Sequence, residues 1–288
     1  MHKKENIQAA ATFMLLGAVS LACMSVFVKT LGSTVGDDQM VFFRNFLGFL
    51  ILLPCTFFSK QKSFSTKHFK GHLIRAIASA LTLYCLFYSI RHILLADAIL
   101  LNNTMPLFVP FIMFFWVGEK IPKGIVLPLL IAFDGVIFIL HPDKNILHGA
   151  ALIALFSGLT MAIATAGIRI LGKNEPPYRI MFYTLGLGTL FTAIPLIWSW
   201  KTPSLYEFFL LMGLAVFGLL YQYCITKGYQ FAHPTKVSPL IFIAVILSGI
   251  FDWIFWDKIP RPLSYFGLFL VFVGVYLCTR VESKKDLL

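Results

Sequence analysis

Three polar residues in succession, Asn102, Asn103 and Thr104, lie in the middle of an otherwise apolar stretch of the chain. Their amides and hydroxyl can donate and accept hydrogen bonds, which is the chemistry that binds a small polar molecule. Pro106 follows them, and a proline inside a helix removes one backbone hydrogen bond and can kink the helix. The group is therefore a candidate binding site at a point where backbone carbonyls become free.

Two tyrosines, Tyr84 and Tyr88, lie four residues apart on a second apolar stretch. This spacing puts both rings on one face of a helix. Aromatic walls with a few hydrogen-bonding groups are typical of pockets for small ligands. Buried tyrosines that bond to neighbouring helices would give the same pattern, so a binding role and a packing role both stay open.

Charged side chains inside apolar stretches need a partner or a function. At the centre of a bilayer a charge costs about 2.5–3.5 kcal/mol on the scale from insertion experiments. Of the charged residues inside apolar stretches, Asp134 lies deepest. Its carboxyl is either structural, as a protonated or paired group, or coupled to the movement of a solute. Arg44 lies inside another stretch, and its planar guanidinium suits a carboxylate. The depths of the two residues allow a pair.

Other charges lie near the ends of apolar stretches. Lys227 follows Tyr223 by one helical turn, and it either reaches the interface by snorkelling or lines a vestibule. Asp97 lies at the start of a stretch, where an acid favours the N-terminus of a helix. For Lys29 and Arg75, snorkelling to the interface accounts for the charge.

The composition identifies the elements that carry these residues. The mean hydropathy is +0.82 and 13% of the residues are charged, whereas soluble domains carry about 25%. A helix needs about 20 apolar residues to cross the hydrocarbon core, and barrel strands would alternate polar and apolar residues. We therefore predict an all-α integral membrane protein with ten transmembrane helices. Their windows are 8–31, 39–58, 71–91, 95–117, 124–140, 148–171, 178–200, 204–230, 234–256 and 262–280.

The basic residues predict the orientation of the chain. The net charge is +11, and most Lys and Arg residues fall in segments that lie inside when the N-terminus is cytoplasmic. This distribution follows the positive-inside rule and places both termini in the cytoplasm. Because topology explains the basic excess, we expect no nucleic-acid partner.

Motifs of several other protein classes are missing from the sequence. The five cysteines fall within the apolar windows and lack metal-type spacing. No H-E-x-x-H motif or other acid–histidine pair lies at depth, and no ring of like charges or filter-like loop indicates a channel. We therefore expect no metal, no cofactor and no enzymatic activity.

A short charged phrase occurs twice between apolar windows, as GEKIP at 118–122 and as WDKIP at 256–260. The offset of 138 residues brings the hydropathy of the chain into step with itself and predicts two halves, 1–145 and 146–288. Each half has five helices, and because five is odd the second half crosses the membrane inverted. Inverted repeats are typical of secondary transporters, which bind substrates near the midplane between the repeats.

The order of these motifs resembles the drug/metabolite transporter superfamily, in particular its ten-helix EamA-type members. The resemblance covers essentially the whole chain and is carried by FFRNFLGFLILLP (42–54), the segment 72–108, GEKIP and the segment 237–260. Within the superfamily the chain looks nearest to the branch of S-adenosylmethionine-type importers. It departs from the family at Trp256 and Asp257, where the family often has Gly-Glu.

The resemblance implies a cavity formed by the third, fourth, eighth and ninth predicted helices. It places Arg44 on the family's arginine and Asp97 at a position that is acidic in the named branch. A mixed set of Tyr, Asn, Arg and Asp side chains can bind a zwitterion. We therefore predict a secondary active transporter of small polar metabolites, amino acids or amino-acid-derived compounds, which works by alternating access. The alternative is a flippase or exporter of a lipid-linked or drug-like amphipathic molecule.

The predicted transporter lies in the lipid bilayer of the cell inner membrane and can form a homodimer. The offset of 138 residues lays Tyr84 on Gln222 and Tyr88 on Thr226. The predicted substrate-binding residues are Arg44, Tyr84, Tyr88, Asn102, Asn103, Thr104, Gln222, Tyr223, Lys227 and Ser238, and the predicted coupling residues are Asp97 and Asp134.

Overall fold

A computed structural model describes residues 6–57, 65–118, 124, 126–140, 149–172, 174–231, 238–259 and 262–285. No strand occurs among these residues, so the prediction of an all-helical chain is confirmed for them. The helices are α1 (Ile7–Leu31), α2 (Asp37–Phe57), α3 (Phe69–His92), α4 (Leu95–Asn102), α5 (Met105–Val117), α6 (Val126–Leu140), α7 (Gly149–Leu171), α8 (Pro177–Ser199), α9 (Leu205–Phe231), a 3₁₀ helix (Ser238–Phe242), α10 (Ile243–Trp256) and α11 (Pro262–Lys285).

The long apolar helices make the chain a multi-pass membrane protein. Among the described residues, six helical segments are long and apolar enough to cross a membrane: Gln8–Leu31, Phe69–His92, Leu95–Trp116, Gly149–Leu171, Pro177–Ser199 and Leu205–Phe231. Shorter apolar helices cover Val126–Phe138, Leu240–Trp256 and Pro262–Leu277. Helix α2 has 21 residues but carries Asp37, Asp38 and Arg44. Ten crossings therefore stay a prediction.

The three polar residues 102–104 interrupt the helix of the fourth predicted window. Helix α4 ends at Asn102 and α5 begins at Met105, with Pro106 in the first turn of α5. Gly158 of α7 packs against this break, because a Cβ there would lie 2.7 Å from the Leu101 carbonyl oxygen and 2.8 Å from Thr104 Oγ1. The absence of a side chain at Gly158 is what lets α7 approach the interrupted backbone.

Helix bounds recur at the offset that the sequence predicts. Helix α5 begins at residue 105 and α10 at residue 243, which is 138 residues later. Both end on a left-handed residue, Gly118 with φ 74° and Asp257 with φ 50°. Trp256 stands where the offset expects the second glycine. A bulky tryptophan does not favour the left-handed region, whereas aspartate is enriched there, so α10 extends by one residue and Asp257 becomes its C-cap.

The packing of the helices joins the two halves of the chain. Helix α1 packs against α9 and α3 against α7, and the offset exchanges these two pairs. In three further pairs, α2 with α8, α4 with α10 and α6 with α11, each helix packs against a helix of the predicted window that the offset lays on its own. The main cluster of buried apolar side chains draws on both halves. The central core of the molecule therefore lies between the halves.

Candidate functional site

A cavity of ≈ 60 Å³ lies between the halves, and helices α1 to α4 line it together with α7 and α9. Most of its wall is apolar, from leucine, isoleucine, methionine and alanine side chains. Its polar lining residues are Arg44, Arg75, Ser79, Thr82, Asn102, Thr165, Tyr221, Gln222 and Thr226. An apolar wall with a few polar groups is the usual make-up of a small-molecule site. We call this space the central cavity.

Arg44 enters the central cavity from α2 and is only 4% exposed. Its Nη1 donates to Oδ1 of Asn45 at 3.0 Å, and its Nη2 donates to the Gly218 carbonyl oxygen at 3.1 Å and to Oε1 of Gln222 at 3.0 Å. Its Nε has no acceptor among the described residues. All three acceptors are neutral, so the positive charge of Arg44 is hydrogen-bonded but not balanced by a carboxylate there.

Arg75 lines the same cavity from α3 and is 2% exposed. Its Nη1 donates to the Ile180 carbonyl oxygen at 3.2 Å and to the Thr184 hydroxyl, both on α8. Its Nε also lacks an acceptor among the described residues. The interfacial position expected for Arg75 is therefore wrong: the side chain turns into the protein because acceptors of α8 hold it there.

Two further polar side chains that the sequence predicts to bind substrate line the central cavity. The amide nitrogen of Asn102 donates to the Ser157 hydroxyl of α7 at 2.9 Å. Gln222 uses Oε1 to accept from Arg44, and its buried Nε2 has no acceptor among the described residues. These amides bring neutral hydrogen-bonding groups beside the two guanidinium groups.

Several other predicted binding residues lie outside the lining of the central cavity. Tyr88 is 37% exposed and stacks on His92, with ring centroids 4.1 Å apart. Tyr223 is 40% exposed, and the Lys227 ammonium lies 6.0 Å from the centre of its ring. The hydroxyl of Tyr84 is buried without a hydrogen-bond partner among the described residues.

The remaining predicted binding residues lie near helix breaks. Asn103 and Thr104 are buried at the break between α4 and α5, where Thr104 donates to the Leu101 carbonyl oxygen at 2.6 Å. The Nδ2 of Asn103 has no acceptor among the described residues. Ser238 begins the 3₁₀ helix before α10, and its side chain falls outside the described part of the chain.

The structure does not bring the two predicted coupling acids to the central cavity. Asp134 is exposed on α6 and forms no ion pair with Arg44. Asp97 lines a second cavity of ≈ 440 Å³ between α4, α10 and α11, whose wall is mostly apolar and includes Trp253 and Leu268. We call this second space the lateral groove.

Sequence reasoning missed a buried ion pair between α1 and α10. Lys29 Nζ lies 2.6 Å from Oδ1 of Asp252, which is fully buried, and the other carboxylate oxygen accepts the Ala96 N–H at 3.2 Å. The Lys29 ammonium also lies 4.9 Å from the centre of the Trp256 ring. The interfacial position expected for Lys29 is therefore wrong. An acid inside the apolar run of α10 was the available signal.

Among the described residues, no three His, Cys, Asp or Glu side chains come close enough together to hold a metal ion. The polar groups of the central cavity are instead two guanidinium groups, two side-chain amides and several hydroxyls. The arrangement can therefore bind an acidic or hydrogen-bonding solute.

Comparison with known proteins gives a family and several relatives. The model of the EamA-like transporter family matches residues 8–141 and 148–280. The pseudopaline exporter CntI of Pseudomonas aeruginosa (strain UCBPP-PA14) is 30% identical over 280 residues, which cover 96% of this chain and 98% of that protein. A solved crystal structure covers 97% of this chain with a TM-score of 0.69 and 13% identity, a likeness that shows the fold alone.

Two more distant relatives are named for other cargoes. The S-adenosylmethionine uptake transporter of Rickettsia bellii is 21% identical over 273 residues, which cover 94% of each chain. The riboflavin transporter of Vibrio cholerae is 24% identical over 228 residues, which cover 78% of this chain and 76% of that protein. The relatives thus share transport across a membrane, while the names of their cargoes differ.

Proposed function

The chain belongs to the EamA-like transporter family, and from that membership we propose that it is a secondary active transporter of small amino-acid-derived carboxylates. That it is a multi-pass membrane transporter, not an enzyme, follows from the family and its relatives. The nature of the cargo and the way it moves belong to the proposal.

One observation carries the proposal: the central cavity holds Arg44, a buried guanidinium with no carboxylate partner among the described residues. A buried charge is stable only when it is paired and hydrogen-bonded. The carboxylate of a substrate supplies the missing partner, with Asn102 and Gln222 as neutral hydrogen-bonding groups beside it. The proposed binding set therefore keeps Arg44, Asn102 and Gln222 and adds Arg75 and Thr226.

Movement of the cargo is proposed to follow alternating access. The halves 1–145 and 146–288 act as inverted five-helix repeats, and the central cavity lies at their junction. Rocking of one repeat against the other exposes such a site to each side in turn. The named relatives come from bacteria, which supports a place in the inner membrane, with both termini in the cytoplasm.

A second candidate function is the export of an amphipathic molecule, and the lateral groove is the observation that favours it. Its volume is ≈ 440 Å³, and its wall is mostly apolar with Asp97 and Ser264 as polar members. An acyl chain or apolar ring system fits such a wall better than a small polar metabolite does. Scrambling of labelled lipids in liposomes that contain the protein tests this candidate.

The main proposal is tested in three cell lines that express the wild-type chain, Arg44→Gln or Tyr88→Phe at equal membrane abundance. Their metabolites are then compared. Mass spectrometry measures both the cells and the spent medium, so that import and export are both visible. We expect the full chain to shift at least one amino-acid-derived carboxylate between cells and medium, and Arg44→Gln to abolish the shift. Tyr88→Phe changes a residue outside the central cavity and should keep it.

Two results would count against the proposal. One is that no carboxylate changes although the protein is folded in the membrane. The other is that Tyr88→Phe loses as much transport as Arg44→Gln, since this would mean that the central cavity has no special part in the activity.

A further inference from the structure

We propose that the substrate of the central cavity carries two acidic groups, one bound by Arg44 and the other by Arg75. This inference rests on the proposed function, because it concerns the same cavity and assigns the charge of its cargo. It replaces the zwitterion that the sequence alone predicts with a dianion.

The lining of the central cavity is positively charged without compensation. Arg44 and Arg75 are its charged members among the described residues, and neither takes part in an ion pair there. Arginine does not lose its proton inside a protein, so both charges persist when water is removed. Two carboxylates would supply the charge and the hydrogen-bond acceptors that the two guanidinium groups lack.

The acids that a zwitterion needs for its amino group lie elsewhere. Asp97 lines the lateral groove, and Asp134 is exposed on α6. Asp252 is buried but is already held by Lys29. An amino group in the central cavity would therefore meet two guanidinium groups and, among the described residues, no carboxylate. Like-charge repulsion at a low dielectric constant would raise the free energy of that complex.

Each guanidinium is held by acceptors of the opposite half of the chain. Arg44 bonds to two oxygen atoms of α9 and Arg75 to two oxygen atoms of α8, and all four acceptors are neutral. A carboxylate offers a guanidinium an opposite charge and two parallel hydrogen bonds, which these neutral acceptors do not. The central cavity is too small for a metabolite, since ≈ 60 Å³ is far below the roughly 300–1,000 Å³ of a ligand pocket. When the halves separate, the acidic groups of the substrate can therefore replace these acceptors.

Arg44 and Arg75 reach the central cavity from different helices, and each is held by a different helix of the opposite half. A single acidic group would leave one of the two guanidinium groups without a carboxylate. Two acids separated by several carbon atoms can reach both.

The test measures thermal unfolding of the full chain, purified in detergent, with four compounds of the same length: adipate, hexanoate, 6-aminohexanoate and 1,6-diaminohexane. At pH 7 these are a dianion, a monoanion, a zwitterion and a dication. A ligand that binds the folded state raises its stability by mass action. We expect a clear rise in the unfolding temperature with adipate, a smaller rise with hexanoate and no rise with the other two.

Variants assign the response to the two arginines. Arg44→Gln and Arg75→Gln should each raise the adipate concentration needed for the response by about tenfold or more, because each removes a charge-assisted hydrogen bond. Arg280→Gln removes an exposed arginine of α11 and is the matched control, which keeps the full response. Arg44→Lys and Arg75→Lys preserve the charge and should keep part of the response, so they serve if a glutamine variant fails to fold.

An adipate response no larger than that of the other three compounds, a flat response included, overturns the proposal. So does an adipate response that both Arg75→Gln and Arg75→Lys leave unchanged. The metabolite comparison separates this inference from the function on which it rests. Transported compounds with a single acidic group refute the dianion and leave the transport of carboxylates standing, whereas a lack of any transported carboxylate refutes that transport.

Discussion

Buried charges of this chain are handled in two opposite ways. Lys29 and Asp252 neutralise each other at 2.6 Å. Arg44 and Arg75 instead bond to amide, carbonyl and hydroxyl oxygens, which satisfy hydrogen bonds without cancelling charge. A neutralised pair suits a structural contact, while uncancelled cations in a cavity suit a ligand of opposite charge.

The buried pair gives a prediction about stability. Removing one partner leaves an unpaired buried charge, which costs about 3–5 kcal/mol, whereas replacing both partners with apolar or neutral groups is often close to neutral. We expect Lys29→Met and Asp252→Asn each to lower the thermal unfolding temperature of the purified protein. The double variant should recover most of the loss. Additive losses in the double variant would mean that the two side chains do not depend on each other.

Glu175, in the connection between α7 and α8, gives a prediction about pH. Burial by itself raises the pKa of this carboxyl, but hydrogen bonds from Thr66 at 2.7 Å and Arg179 at 2.6 Å, with the charge of Arg179, bring the pKa below its ordinary value. A lowered pKa stabilises the folded state above the unfolded-state pKa of about 4.3, and this stabilisation is lost as the pH falls through the folded-state value.

The measurement compares thermal unfolding of the wild type and Glu175→Gln between pH 7 and pH 4. We expect the wild type to be more stable at pH 7 and its advantage to shrink toward the acidic end. Thr66→Val removes one of the two hydrogen bonds and should give an intermediate advantage. A difference that stays constant over the whole range would show that the carboxylate charge does not stabilise the fold.

At the residue scale the sequence located part of the candidate site. Arg44, Asn102 and Gln222 line the central cavity because a polar side chain inside an apolar helix has to find polar neighbours. Arg75 was missed because its place near the start of α3 allowed the interface as an alternative. Asp252 was missed because its partner Lys29 lies 223 residues away, and helical periodicity does not reveal which faces of distant helices meet.

Among the elements, the interrupted pair α4 and α5 depends on a close neighbour. Gly158 lets α7 approach, and a Cβ there would lie 2.7 Å from a backbone oxygen that cannot move away alone. Overpacking of this kind typically costs about 1–3 kcal/mol. We expect Gly158→Ala to lower the thermal unfolding temperature and to reduce transport. Gly149→Ala, at the start of the same helix, meets nothing within 4 Å and is the matched control. Equal behaviour of the two variants would contradict the close approach.

The repeated phrase predicted more at the scale of elements than any single residue did. It gave the offset that relates the starts of α5 and α10, and both of these helices end on a left-handed residue. What it could not give is the extra residue of α10, which depends on the poor fit of Trp256 to a left-handed backbone. Residues 119–122 of the first copy and Pro260 of the second copy fall outside the described residues.

For the whole molecule, the central question is whether the halves move against each other. Helices α2 and α8 come from different halves and pack together, and at one end Ser199 of α8 donates to Oδ2 of Asp38 of α2 at 3.1 Å. Alternating access requires the halves to separate on each side of the membrane in turn. A covalent link between these two positions should therefore hold one side shut.

We expect Asp38→Cys combined with Ser199→Cys, in a background without the five native cysteines, to lose transport when a short bifunctional thiol reagent links the pair. Reduction of a cleavable linker should restore transport. Ser204→Cys with Glu207→Cys is the matched control, because these two exposed residues also bond, at 2.9 Å, but belong to the same half. Transport is measured for the compound that the metabolite comparison identifies. Full transport by the linked Asp38–Ser199 variant would mean that α2 and α8 do not separate at this end, and that the cargo crosses without rocking of the halves there.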